Sequence, residues 1–441
     1  MLNPEFRRNL WREFPGHRLL AMPVMLGLIF LTASLADSNR MGDILFRVTT
    51  VLFVFMVWFW GARNANSAVS DEMRDQTWDQ QRLSALEPWT MTWGKLFGAT
   101  SYNWYGGLIC LAVATPAGLI AQGASALVSL VTLAASGILI QAAVLTLALH
   151  IGRRQTSGES RQSSIGWLAI VLIFTLFSNL AGKGATQTFT WWNLELGRDI
   201  FLLLSSLFFA GVAVFAAWRV MSNALQVRTR PWAWPLFSLL VGIYLTGLGD
   251  QSGQARLTTL PLYALGVTLL MTYAALFSEP SGPLELRRLI RRQNSGDWRG
   301  WLEYLPLWPT TLAAAFVYAL VATMLTDLPP QAIMNAKSLL SSFAPLALAL
   351  MLLRDCCLML FFACAPRPGR PTWTTLLALG ALDFLLPFSA KAAGMAQLAW
   401  LIFPLGSEGN LWAAVMLMTV QAGVALGLVW WRWRRLMGEE V

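Results

Sequence analysis

Three charged residues interrupt stretches that are otherwise apolar: Arg354 and Asp355 in one run, and Asp383 in the next. Charges at membrane depth are costly, and they usually face a bundle interior or a cavity, where they pair or line a path for ions or protons. Asp383 is the deepest of the three. Arg354 can pair with it across neighbouring helices, while the run around Arg354 and Asp355 is longer than a span needs, so both can also sit at its inner end. A second group of chemistry-bearing residues lies in the polar interruption Arg63 to Lys95, set between two long apolar stretches. It holds the densest gathering of carboxylates, Asp71, Glu72, Asp75 and Asp79, interleaved with Arg74 and Arg82.

Other chemistries are poorly supplied. The histidines are His17 and His150, and the cysteines Cys110, Cys356, Cys357 and Cys364 all fall in apolar runs. None of these spacings matches a metal site, a redox pair or an extracellular disulfide, so no metal and no catalytic residue is expected. No GxxxxGK[ST] phosphate loop occurs: Gly94-Lys95-Leu96 and Gly182-Lys183-Gly184 lack both the spacing and the hydroxyl. The chain itself is not expected to hydrolyse ATP or to carry a cofactor.

The elements that must position these residues follow from composition. Of 441 residues, 56% are hydrophobic and 12% charged, and the mean hydropathy is +0.54, which places the chain among polytopic membrane proteins. Apolar runs of about 18 residues or more recur, each long enough to cross a hydrocarbon core of ~30 Å. About twelve transmembrane helices are expected, near 19–36, 44–62, 96–120, 126–150, 165–182, 199–219, 235–249, 257–278, 306–326, 338–364, 372–390 and 411–431. The fold class is all-α, because backbone groups in lipid must be satisfied within each helix, and the short alternating segments of a barrel are missing.

Basic residues set the expected orientation. One set of loops carries 24 of the 32 Lys and Arg residues, from Arg7, Arg8 and Arg12 through Arg63, Arg74, Arg82 and Lys95 to Arg432, Arg434 and Arg435. That bias puts both termini in the cytoplasm. The net charge of +9 is then a topology signal, and no nucleic-acid partner is invoked. Met1 to Arg18 is polar and basic, unlike a cleavable signal peptide. Leu2, Phe6, Leu10, Trp11 and Phe14 recur there at helical spacing, as in a helix on the inner membrane surface, or simply a charged anchor for the first span.

The layout divides into two six-helix halves, residues 1–220 and 221–441. Each half places its longest cytoplasmic segment after its second helix, at 63–95 and again at 279–305, the latter strongly basic. Each also has an unusual outer segment between its fifth and sixth helices, at 181–197 and 391–410. The second of these is too short and too Pro/Gly-marked to span, as a re-entrant hairpin would be. Repeated halves are common among transporters, where the substrate path runs between them.

Within 63–95, Ser70 can cap a helix whose first turn holds Asp71 and Glu72, with Arg82 toward its other end and Pro88 stopping it. Met73, Thr77 and Trp78 share one side of that helix, an apolar anchor flanked by charges. An ordinary solvated or membrane-surface loop is the plainer alternative.

The stretch DEMRDQTWDQQRLSALEPWTMTWGKLFGAT resembles the cytoplasmic coupling segment of ABC-2-type ABC transporter permeases, with Glu72, Arg74, Thr77, Leu83, Pro88, Gly94 and Lys95 at the matching positions. The resemblance departs at Gln76, where the family often has Gly, and the 279–305 segment has lost most of the motif. It implies a membrane permease subunit, an exporter by leaning, that forms the translocation path. ATP is then hydrolysed by a separate ATP-binding-cassette ATPase subunit, present in two copies. The candidate coupling residues are Glu72, Arg74, Thr77, Trp78, Arg82, Leu83, Pro88 and Lys95; Arg354, Asp355 and Asp383 are the candidate intramembrane charges. Such a chain resides in the lipid of a bacterial inner membrane, and it serves alone with two ATPases or pairs with a second copy or another permease. Two other classes compete. A secondary transporter of six plus six helices needs intramembrane carboxylates, of which Asp383 is the clearest. An integral-membrane transferase needs His, Asp or Glu clustered at one interface.

Overall fold

A computed structural model describes residues 3–36, 40–84, 86–152, 188–227, 232–248, 253–278, 282–296, 298–325, 345–365, 371–395, 403 and 411–438. The protein is an all-α, membrane-integral chain. Among the described residues ten helices are long and apolar enough to cross a bilayer. The expected span at 165–182 lies outside the described residues, as does most of the expected re-entrant segment at 391–410. The expected span at 235–249 is an apolar helix of 15 residues, Ala233–Gly247, about 22 Å long at 1.5 Å per residue and so shorter than a ~30 Å core.

Contacts divide the chain into two compact units, Met1–Phe189 with Glu195–Thr229, and Thr190–Leu194 with Arg230–Val441. The first begins with α1 (Pro4–Glu13) and α2 (Gly16–Ala36). Next comes α3, one continuous helix of 34 residues from Met41 to Arg74. Two short helices follow, α4 (Trp78–Arg82) and α5 (Pro88–Trp93), the latter running on as a π-helical turn, Gly94–Gly98. The spans α6 (Ser101–Gln122) and α7 (Ser125–Gly152) complete the central bundle. After the strands β1 (Thr188–Trp191) and β2 (Leu194–Gly197), α8 (Arg198–Ala224) packs along α7.

The core of this unit shows how a membrane helix tolerates a break in its ladder. Phe53, Val57, Trp58 and Ala62 of α3 are buried against Met22, Cys110, Ile140 and Val144 from the neighbouring helices. Within α3, Val54–Trp60 is π-helical. Such a turn displaces backbone bonds, and in lipid any loosened carbonyl needs a partner. Asn103 donates to the Met56 carbonyl at 3.1 Å, and Gln141, fully buried, donates to the Val57 carbonyl at 2.8 Å. Gln141 in turn accepts from the Trp104 indole at 3.0 Å.

The second unit contains α9 (Ala233–Gly247), α10 (Gly253–Ser278), α11 (Pro283–Asn294), α12 (Trp298–Tyr304), α13 (Leu307–Leu325) and α14 (Pro345–Ala363). It then has α15, made of Pro371–Gly380, a π-helical turn Ala381–Leu385 and Leu386–Ala392, and finally α16 (Leu411–Gly438). Alanines at close spacing, Ala315, Ala319, Ala349 and their neighbours, let α10, α13 and α14 approach. Small residues at helix contacts are the usual means of packing in lipid, which offers no hydrophobic drive between helices.

Candidate functional sites

The first site is built where α3 leaves the bundle. Ala62, Ala65 and Val69 are fully buried at helical spacing, so α3 keeps one face on the core through the polar stretch. This corrects the expectation of a new helix capped by Ser70: Ser70, Asp71 and Glu72 are interior to α3, which ends at Arg74. The ending is a Schellman closure. The Thr77 amide donates to the Glu72 carbonyl at 2.9 Å and the Gln76 amide to Met73 at 3.3 Å, with Gln76 at φ 57°. That left-handed position is where glycine is normally favoured.

Beyond the break, α4 swings Trp78 inward. Trp78 is buried with Val69, Met91, Leu96 and Leu145, so it is a core residue and not the exposed docking anchor expected from a continuous helix. Thr77, Arg74, Asp75 and Asp79 remain exposed, and Leu83 is 89% exposed. Arg82 donates to Asp79 at 3.0 Å on this outer tip. Pro88 occupies the first turn of α5, where its missing amide hydrogen costs nothing, and so it begins a helix.

The π-helical turn after α5 carries Lys95, 1% exposed. Its ammonium bonds the Glu72 carboxylate and the Ala68 carbonyl (3.3 Å), lies 3.4 Å from Glu5 and sits 5.5 Å from the Trp78 ring centroid. Arg8 reaches the same two carboxylates, at 2.8 Å from Glu5 and 2.6 Å from Glu72. Two anions and two cations thus join α1, α3 and the turn after α5. Asn3 caps α1 through its side-chain oxygen and donates to the Thr90 carbonyl at 2.6 Å. Close approach makes this possible: a Cβ at Gly94 would lie 2.6 Å from Glu5 Cβ, and one at Gly98 2.9 Å from Asn9 Cβ. The face of α1 that meets protein is therefore polar, Glu5 and Asn9, while Trp11 is 74% exposed.

The second site lies in the middle of the spans of the second unit. Arg354, halfway along α14, is 4% exposed and spends its guanidinium on three partners. Nε donates to Asp355 at 2.9 Å, Nη1 to Gln421 of α16 at 2.9 Å, and Nη2 to Asp383 of α15 at 2.5 Å. Asp355 also accepts from the Tyr273 hydroxyl of α10 at 2.5 Å. Asp383 sits in the π-helical turn of α15. Asp355 is therefore buried in the bundle and not at the inner end of a span. Three helices meet at one arginine, and α10 joins them through Asp355.

Several of these partners had no signal in the sequence. Glu5 and Arg8 lie more than sixty residues from Glu72, and Tyr273 and Gln421 read as ordinary span residues. Among the described residues no three His, Cys, Asp or Glu side chains gather as a metal site. All four cysteines are buried thiols. Comparison of the chain with protein-family models, curated proteins and solved structures finds no match.

Proposed function

We propose that the protein is the permease subunit of an ATP-driven ABC transporter, working in export. Its spans form the translocation path, and a separate ATP-binding-cassette ATPase, in two copies, docks on the tip Arg74–Leu83. Both termini lie in the cytoplasm of a bacterial cell, and the chain sits in the inner membrane as two six-helix halves of about twelve spans. The observation that carries this reading is the construction of the tip. An exposed polar surface, with Leu83 as its apolar point, stands on a buried ion cluster and on a continuous 34-residue helix.

Such a tip suits force transfer. A helix of that length is a rod of about 50 Å, so a push at its exposed end, Arg74 and Asp75, moves the same element that lines the core at Val57 and Ala62. Glu72 and Lys95 pass the displacement on to α1 and to the start of α6. ATP is consumed by the partner, and this chain supplies no catalytic group.

Substitution of exposed tip residues tests the reading. Thr77→Arg and Leu83→Asp should each weaken co-purification of the ATPase by about tenfold or more, the scale of ~1.4 kcal/mol, with unchanged thermal stability. Undiminished co-purification with both variants removes the docking role. Trp78→Glu is unsuited to the purpose, because Trp78 belongs to the core.

One observation favours a second reading. The Arg354–Asp383 network puts carboxylates in mid-span, as ion-coupled secondary transporters require. Transport by the purified chain alone, driven by an ion gradient without any ATPase, would select that reading.

A further inference from the structure

We propose that α11 and the end of α16 form a binding surface for the anionic headgroups of phospholipids. This goes beyond the permease reading and does not depend on it. The helix α11, PLELRRLIRRQN, is two-faced from Leu286 to Arg292. Leu286, Leu289 and Ile290 lie on one side, while Arg287, Arg288, Arg291 and Arg292 lie on the other. Four arginines against the single Glu285 make it strongly cationic. A helix of this pattern settles in the plane of a membrane surface, apolar side down and charges toward the phosphates.

A tether fixes the level at which it lies. Arg287 Nη2 donates to the Leu436 carbonyl at 3.3 Å, at the terminus of the span Ala413–Leu436. That span has 24 residues, about 36 Å at 1.5 Å per residue, against a hydrocarbon core of ~30 Å. Its last turns therefore stand at headgroup level, and the bond holds α11 there as well.

The span's own end is built for the same depth. Trp430 and Trp431 are 58% and 49% exposed, and amphipathic rings of this kind collect at the membrane–water boundary. Arg434 stacks over Trp430 at 4.9 Å and Arg435 over Trp431 at 4.1 Å, while Arg432 covers Phe361 at 4.4 Å. Seven arginines on two tethered helices thus converge on one level, with Trp298 of α12, 60% exposed, following α11 in the chain. Clusters of four to eight basic residues beside a span attract anionic lipid. Beyond Glu285, the acidic residues that follow the two helices most closely, Asp297 after α11 and Glu439 and Glu440 after α16, lie outside the described residues.

Native mass spectrometry of the full chain in neutral detergent, titrated with equimolar phosphatidylglycerol and phosphatidylcholine, tests this. The wild type should retain phosphatidylglycerol preferentially, and the preference should vanish near ~1 M salt, where the screening length falls to about 3 Å. The double variant Arg288→Gln/Arg291→Gln keeps the Arg287 tether. It should bind phosphatidylglycerol roughly 25-fold more weakly, at about fivefold for each charge removed. The pair Arg63→Gln/Arg74→Gln, in the other unit, should leave lipid binding unchanged. Equal binding of the two lipids by the wild type overturns the proposal and leaves an acidic protein surface as the occupant. Full retention of phosphatidylglycerol by the α11 variant, eluting and melting like the wild type, overturns it too.

Discussion

Each compact unit holds helices together through a buried charge cluster, and the two clusters differ in how many cations serve their two carboxylates. Glu5 and Glu72 share Lys95 and Arg8, so formal charges balance and either cation reaches both anions. Asp355 and Asp383 share Arg354 alone, with the neutral Tyr273 and Gln421 completing the shell. The first sits where a helix leaves the bundle, with Arg8 half exposed to solvent. The second is mid-span, with Arg354, Asp355 and Asp383 all buried. In both, one member rides on a π-helical turn, Lys95 in one and Asp383 in the other. A π-turn re-aims a side chain by one residue's rotation, and such turns recur at functional sites. The difference teaches that the first cluster is buffered against loss of a partner and the second is not.

Removing the central cation from each cluster gives the largest expected effects. Breaking a buried pair by deleting one partner costs about 3–5 kcal/mol, because an uncompensated charge stays behind. Arg354→Met strands two carboxylates at once and should lie at the upper end of that range, near 5 kcal/mol. Lys95→Met leaves Arg8 on both glutamates and should lie at the lower end, near 3 kcal/mol. Unfolding of the purified protein in mixed detergent micelles measures both. A loss for Lys95→Met equal to or larger than that for Arg354→Met would end the claim that the first cluster is buffered.

Arg8 sharpens the same point at smaller scale. Its side chain is 51% exposed, and exposed pairs contribute about 0–1 kcal/mol. Arg8→Gln alone should therefore cost less than ~1 kcal/mol. Combined with Lys95→Met, it removes the second cation, and the double variant should lose about 1–3 kcal/mol more than the sum of the singles. Simple additivity would mean that Arg8 does not substitute for Lys95.

What the sequence disclosed depended on range. The all-α membrane class was legible because a run such as the one that forms α7 must bury or face lipid whatever its neighbours are. The possibility of an Arg354–Asp383 pair was legible because each charge stands alone in an apolar run and needs a partner. Glu72 and Lys95 stood out within one short segment, yet their meeting did not, because it requires the chain to turn back after α3; nor did Glu5 and Arg8, which α1 brings from more than sixty residues away. Trp78 is misplaced by the sequence for a local reason: a single helix capped at Ser70 and stopped at Pro88 assumes unbroken α-geometry, and the chain turns at Gln76. The π-helical turns at Val54–Trp60, Gly94–Gly98 and Ala381–Leu385 left no mark that periodicity could read. The first receives bonds from Asn103 and Gln141 on other helices, and the second one from Asn9 of α1.

The smallest expected effect concerns the joint that separates tip from cluster. Gln76 holds φ 57° at the position of a Schellman closure where glycine is favoured. A side chain there is strained by about 1 kcal/mol or somewhat more, and glycine relieves this while adding freedom to the unfolded chain. The balance should favour Gln76→Gly by a few tenths to about 1 kcal/mol, visible as a small rise in the unfolding midpoint. The gain belongs to the joint alone, so the variant should leave the Lys95→Met penalty unchanged when the two are combined. A changed penalty would show that the turn and the ion cluster form one cooperative element, with the tip less independent of its pedestal than the geometry implies.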